Sequence, residues 1–160
     1  MRLINCSTLQ LEEYFGDKVP RYAILSHTWG DEEVTFADFT HDQAGARKKK
    51  GYGKISHTCR QALQDGLHYA WVDTCCIDKT SSAELSEAIN SMFAWYAYSC
   101  VCYVYLADVA AADFHTKSHR SRWVTRGWTL QELLAPSDLM FYDTIWHPLG
   151  TRQVLADTVS

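Results

Sequence analysis

Residues 22–25, Tyr-Ala-Ile-Leu, run without a break into Ser26-His27-Thr28-Trp29-Gly30-Asp31. Side chains alternate across a strand, so an unbroken apolar run leaves neither face for water. A strand of that kind needs cover on both sides, and helices above and below a parallel sheet supply it. The polar cluster then marks where the strand stops. In open α/β sheets ligands bind just beyond the carboxyl ends of the strands. Ser26, His27, Trp29 and Gly30 are therefore candidate pocket residues, although the same pattern also describes an ordinary polar loop after a core strand.

Other short apolar runs predict strands at Tyr69–Asp73, Val101–Leu106 and Leu139–Tyr142, with Leu3–Asn5 as a short edge strand. Helical spacing fills the intervals. From Ile55, apolar residues recur at Cys59, Ala62, Leu63 and Leu67, and Gly66 suits a helix stop. A second helix is capped by Ser81 or Ser82, with Leu85, Ala88, Ile89, Met92 and Tyr96 as its inward stripe. A third runs from near Arg122 or Arg126 to Leu134, stopped by Ala135-Pro136. The small, polar stretch 110–121 reads as a mobile loop. Strands alternating with helices predict an α/β fold: a mostly parallel sheet with helices on both faces. The 160 residues make one domain, spanning 1–160, with enough chain for a proper core. The last ten residues carry no stop signal, as expected of an N-terminal domain cut from a longer protein.

Several function classes are excluded or disfavoured. A net charge of −4 disfavours a nucleic-acid binder that works by phosphate neutralisation. The basic run Arg47-Lys48-Lys49-Lys50 reads as a solvated loop. No secretory signal opens the chain, so the six cysteines are expected as reduced thiols in a cytoplasmic protein. No apolar run is long enough for a membrane span. Cys75-Cys76 and Cys100-Val101-Cys102 lack metal-ligand spacing, so no metal is expected. Gly51-Tyr52-Gly53-Lys54 lacks the spacer and the hydroxyl residue of a phosphate loop. Cys75 or Cys76 with His27 would make a thiol nucleophile pair, with no third group in the pattern to orient it.

The strand ends carry Ser26-His27, Asp73-Thr74 and Asp108, which a parallel sheet brings to one edge. A second constellation is Arg126-Gly127-Trp128-Thr129-Leu130-Gln131-Glu132-Leu133-Leu134. On a helix, Trp128, Gln131, Glu132 and Ala135 share a face. A carboxylate there can hold sugar hydroxyls or stabilise an oxocarbenium-like transition state. The plainer alternative is a solvated helix glutamate paired with Arg126.

Three blocks in order resemble the fungal heterokaryon-incompatibility (HET) domain. They are Tyr22 to Asp31, preceded by Leu11-Glu12-Glu13-Tyr14-Phe15; Trp71-Val-Asp-Thr-Cys-Cys-Ile-Asp78 with Ser82 to Met92 and Tyr103 to Leu106; and Arg126 to Pro136. More distantly, the chain is similar to Toll/interleukin-1-receptor (TIR) domains, which have a flavodoxin-like sheet. Trp128-Thr129-Leu130-Gln131-Glu132-Leu133 is similar to their Trp-Cys-x-x-Glu-Leu helix, with Thr129 in the place of cysteine. In enzymatic TIR domains that glutamate cleaves NAD between nicotinamide and ribose. The resemblance thus implies a catalytic role for Glu132 and a substrate-binding role for Ser26, His27, Trp29, Gly30, Asp73 and Trp128, with NAD as substrate and no cofactor. It also implies self-association and an upstream sensor or nucleotide-binding partner. The rival implication is a signalling module without catalysis.

Overall fold

The computed structural model describes residues 1–159. Its strands are β1 (Arg2–Asn5), β2 (Gln10–Glu13), β3 (Tyr22–His27), β4 (Tyr69–Trp71), β5 (Val101–Tyr105), β6 (Leu139–Tyr142) and β7 (Pro148–Thr151). They form one seven-stranded sheet in the order β2-β1-β4-β3-β5-β6-β7. The inner strands β4, β3, β5 and β6 are parallel. Antiparallel strands extend both edges, β1 with β2 on one side and β7 on the other. Within the parallel set the spatial order is second, first, third, fourth in chain order, the doubly wound arrangement of flavodoxin-like sheets.

The helices are α1 (Phe36–His41), α2 (Gln43–Ala46), α3 (Tyr52–Gln64), α4 (Asp73–Cys76), α5 (Ser82–Tyr98), α6 (Phe114–Lys117), α7 (Thr129–Leu134) and α8 (Arg152–Val159). Helix α3 packs on β3 and β4, while α5 and α7 pack on each other over the opposite face. Local chemistry explains their ends. Thr35 and Asp38 form a reciprocal capping box at the start of α1, and the Ser81 hydroxyl accepts from Glu84 N at the start of α5. Gly66, at φ +79°, ends α3 with paired bonds from Leu67 N to Ala62 O (2.8 Å) and Gly66 N to Leu63 O (3.1 Å). Every residue of β3 is buried, as its unbroken apolar run requires. Among the described residues, no helix is long and apolar enough to cross a membrane.

The structure corrects four sequence expectations and adds two strands that the sequence did not predict. Leu3–Asn5 is not an edge strand, because β2 pairs outside it. Strands β2, Gln-Leu-Glu-Glu, and β7, Pro-Leu-Gly-Thr, lack an apolar pattern, which an edge tolerates. Residues 110–121 are not a loose loop: short helical turns are anchored by buried Phe114 and Ser118. Ile89 faces solvent at 47% exposure, so the inward stripe of α5 runs through Ala88 and Tyr96 without it. Helix α7 begins only at Thr129, because residues 121–128 turn around the buried Trp123 instead of winding into a helix.

Two glycines near the start of α3 do opposite things. A Cβ on Gly51 would meet Glu32 O at 2.7 Å and Glu33 Cα at 2.9 Å, whereas one on Gly53 would meet nothing within 4 Å. Gly51→Ala is expected to destabilise the fold by about 1–3 kcal/mol through backbone overlap. Gly53→Ala is expected to stabilise it by about 0.5–1 kcal/mol through helix propensity. Urea unfolding of the two variants checks both signs.

Candidate functional site

At the carboxyl end of β3, successive residues serve opposite faces of the sheet, as strand alternation dictates. Ser26 turns towards α7. Its hydroxyl donates to Glu132 Oε2 and accepts from the Trp123 indole N–H at 2.6 Å. The same carboxylate oxygen receives Arg126 Nη2 at 2.5 Å. Ser26 and Glu132 lie 106 positions apart in the chain, yet both are buried, at 0% and 4% exposure. Glu132 is therefore not the solvated helix glutamate of the plainer reading, although its pairing with Arg126 is present. Burial lifts the Glu132 carboxyl above its ordinary range; Arg126 and the Ser26 hydroxyl oppose that lift, and nearby Asp73 adds to it.

His27 turns the other way. Its Nε2 lies 2.8 Å from Asp73 Oδ1, and Lys54 Nζ lies 3.1 Å from its Nδ1. An ammonium can only donate, so Nδ1 accepts and the ring proton sits on Nε2, facing the carboxylate. The Trp29 indole N–H donates to Asp73 Oδ2 at 2.8 Å. Lys54 also donates to Thr28 O at 3.0 Å and pairs with Glu33, whose Oε1 accepts from Gly30 N at 2.9 Å. Lys79 lies over the Trp29 ring, 4.5 Å from its centroid, and donates to Asp73 O. Ser26, His27, Trp29, Gly30 and Asp73 are thus brought to one end of the sheet, and Glu132 meets them through Ser26. The place is where the strand order reverses, between β3 and β5, the position that binds ligands in doubly wound folds.

Among the described residues no hydrogen bond ties the Trp128 indole to them, although its carbonyl accepts from Glu132 N at 3.2 Å. Trp128 caps α7 at 48% exposure, while Glu132 one turn later is buried. Thr129 is buried and its hydroxyl donates to Trp123 O. The described contacts lend the thiol reading no support, for Cys75 or for Cys76, whose sulfur accepts from Val72 N at 3.4 Å. His27 is engaged by Asp73 and Lys54, and the Cys75 thiol is buried against Val72 O. Burial pushes the Cys75 thiol well up. A cavity of about 590 Å3 opens at the opposite edge of the sheet, lined by Arg21, Asp65, Cys100, Asp138 and Arg152, and shares no residue with these clusters.

Sequence reasoning missed Trp123, Lys54, Glu33 and Lys79. Trp123 and Arg126 precede Glu132 at no helical spacing. Lys54 sits behind a basic run and reads as part of it. Only the prediction that α3 starts at the carboxyl edge of the sheet could have singled Lys54 out.

Burial works against the Asp73 anion, but His27, Lys79 and Trp29 outweigh it and hold the carboxyl down at about 2. A depressed carboxyl stabilises the fold above the unfolded-state value of about 4 and loses that contribution as pH falls towards 2. The contribution is about 2 kcal/mol. Asp73→Asn should remove this part of the acid dependence, so the stability difference between wild type and variant shrinks from pH 5 to pH 2. Denaturant titrations across that range check it.

The sequence model of the heterokaryon incompatibility protein (HET) family matches residues 22–119. That span takes in β3, β4 and β5 with Ser26, His27 and Asp73, and ends before α7. Vegetative incompatibility protein HET-E-1 of Podospora anserina is 48% identical over 148 residues, covering 86% of this chain and 11% of the relative. The chain thus spans about a tenth of that relative's length. No solved structure matches it. With most of its length under the family model and a half-identical incompatibility protein beside it, the chain belongs to the HET family.

Proposed function

We propose that this chain is the effector domain of a fungal incompatibility response and that it hydrolyses NAD at the nicotinamide–ribose bond. The observation that carries the reading is the meeting of Ser26 and Glu132. A buried carboxylate held by Ser26 at the carboxyl edge of a doubly wound sheet supports the reading, because such edges are where these folds bind ligands. The incompatibility role is supported by the family and by the similarity to a vegetative incompatibility protein. The NAD chemistry rests on the likeness of the α7 segment to the TIR glutamate helix.

The reaction asks little of the protein in acid–base terms. The bond between ribose C1′ and the nicotinamide nitrogen breaks, and its electron pair neutralises the pyridinium. Positive charge develops on the ribose, and water supplies the hydroxyl and releases a proton. A carboxylate beside the ribose stabilises that cationic transition state and binds the sugar hydroxyls. Glu132 takes this part. Ser26 sets its orientation, and its burial keeps its charge unscreened. The locked Trp29 ring and the Asp73–His27–Lys54 network would flank the remainder of the dinucleotide.

A second reading is favoured by a specific observation. Ile89 and Phe93 on α5, and Leu130 and Leu134 on α7, are all strongly exposed on two helices that pack together. Such a face suits a self-associating signalling module, in which Glu132 is only a structural ion pair. Purified, deliberately clustered protein incubated with NAD separates the two. Nicotinamide release is expected from wild type and should fall about a hundredfold or more in Glu132→Ala. No release from the clustered wild type, or equal release from the variant, contradicts the enzymatic reading and leaves the module.

A further inference from the structure

Arg126 carries more hydrogen-bonding capacity than the fold uses. Its Nη2 reaches Glu132 at 2.5 Å, but its Nε–H is buried with no partner among the described residues. A buried, unpaired donor on a cation is costly, and such an atom calls for an acceptor that arrives from elsewhere. The guanidinium is not sealed in. Its side chain is 22% exposed against 6% for that of Glu132, so it is the more accessible member of the pair. It is also borne by the irregular segment 121–128 rather than by α7 itself, while Trp123 and Thr129 pin the two ends of that segment.

A planar guanidinium that presents two adjacent N–H groups matches the oxygens of a phosphate or diphosphate. The orphaned Nε–H and the Nη2 that now holds Glu132 are such a pair. A dinucleotide with its ribose at Glu132 brings its diphosphate within reach of the same side chain. We propose that Arg126 is the diphosphate receptor of this site, exchanging Glu132 for the substrate's diphosphate on binding and so releasing the carboxylate to the ribose. This rests on the NAD reading above. The exchange satisfies the orphaned Nε–H and makes and breaks no covalent bond. It also ties exposure of Glu132 to arrival of the anionic half of the substrate. A nicotinamide riboside without the diphosphate does not open the pair.

The test separates this site from the chemistry. ADP-ribose, which keeps the diphosphate but has no nicotinamide to lose, is titrated calorimetrically into Glu132→Gln and into the double variant Arg126→Gln with Glu132→Gln. The double variant leaves no unpaired buried carboxylate to unfold the protein. Removing the guanidinium should weaken ADP-ribose roughly ten- to hundredfold. In the kinetic arm, Arg126→Gln should shrink the wild-type preference for NAD over nicotinamide riboside by a similar factor, and Arg126→Lys should restore part of it. Equal ADP-ribose affinity in the two Gln variants overturns the proposal, as does a loss of turnover that falls equally on both substrates. Arg126-dependent ADP-ribose binding without any nicotinamide release supports the diphosphate site and contradicts hydrolysis alone.

Discussion

The hydrogen bond from Ser26 to Glu132 joins the first parallel strand to the last helix before the final parallel strand. A carboxylate buried to 4% exposure cannot stand alone in a protein interior, because removing an ion from water costs several kcal/mol unless hydrogen bonds and a counter-charge replace its hydration. Here the replacements are a serine at the end of β3 and an arginine from the preceding turn. Ser26 is itself fixed by the Trp123 indole, which donates to the same hydroxyl. The irregular course of residues 121–128 follows from these demands. That segment must wrap Trp123 into the core and swing Arg126 back onto Glu132 before α7 can begin.

The strand alternation that sends Ser26 to one face sends His27 to the other, so one strand end organises two polar networks. The His27 network joins charged side chains through the imidazole ring. It links Asp73 at the start of α4, just beyond β4, Lys54 in the first turn of α3 and Glu33 in the loop after β3. Together the networks stitch the carboxyl edge of the sheet at its switch point, where a doubly wound fold presents ligands to several loops at once. They differ in character. Asp73 is held as an anion by its partners, while Glu132 is drawn towards neutrality by burial. Two carboxylates close enough to feel each other are thereby shifted in opposite directions.

How much of this the sequence disclosed depends on whether a residue's role is local or relational. The unbroken run Tyr22–Leu25 was legible as a doubly covered strand because burial on both faces leaves a compositional mark. Gly66 and Ser81 were legible as helix punctuation because capping is decided within a few residues. The edge strands β2 and β7 were not, since their residues pack against one neighbour only and keep polar or glycine–proline character. The same distinction runs through the site. Ser26, His27 and Asp73 could be named from their position at strand ends. Glu132 could be named only from resemblance, because its burial depends on Ser26, far away in the chain. Trp128 does stand one turn before Glu132, its carbonyl accepting from Glu132 N at 3.2 Å, but at the cap of α7 its ring is half exposed while the carboxylate is buried. Arg126 and Trp123 had no periodic signal at all, since both act through an irregular turn shaped by tertiary contacts.

Central to the account is that Ser26 and Glu132 act as one unit at the end of β3. The most direct measurement is a double-mutant cycle on stability with Ser26→Ala, Glu132→Gln and the pair, each unfolded in urea at neutral pH. The account predicts a coupling energy of about 1–3 kcal/mol between the two positions. Effects that add to within about 0.5 kcal/mol would contradict it, because residues that do not touch lose stability independently.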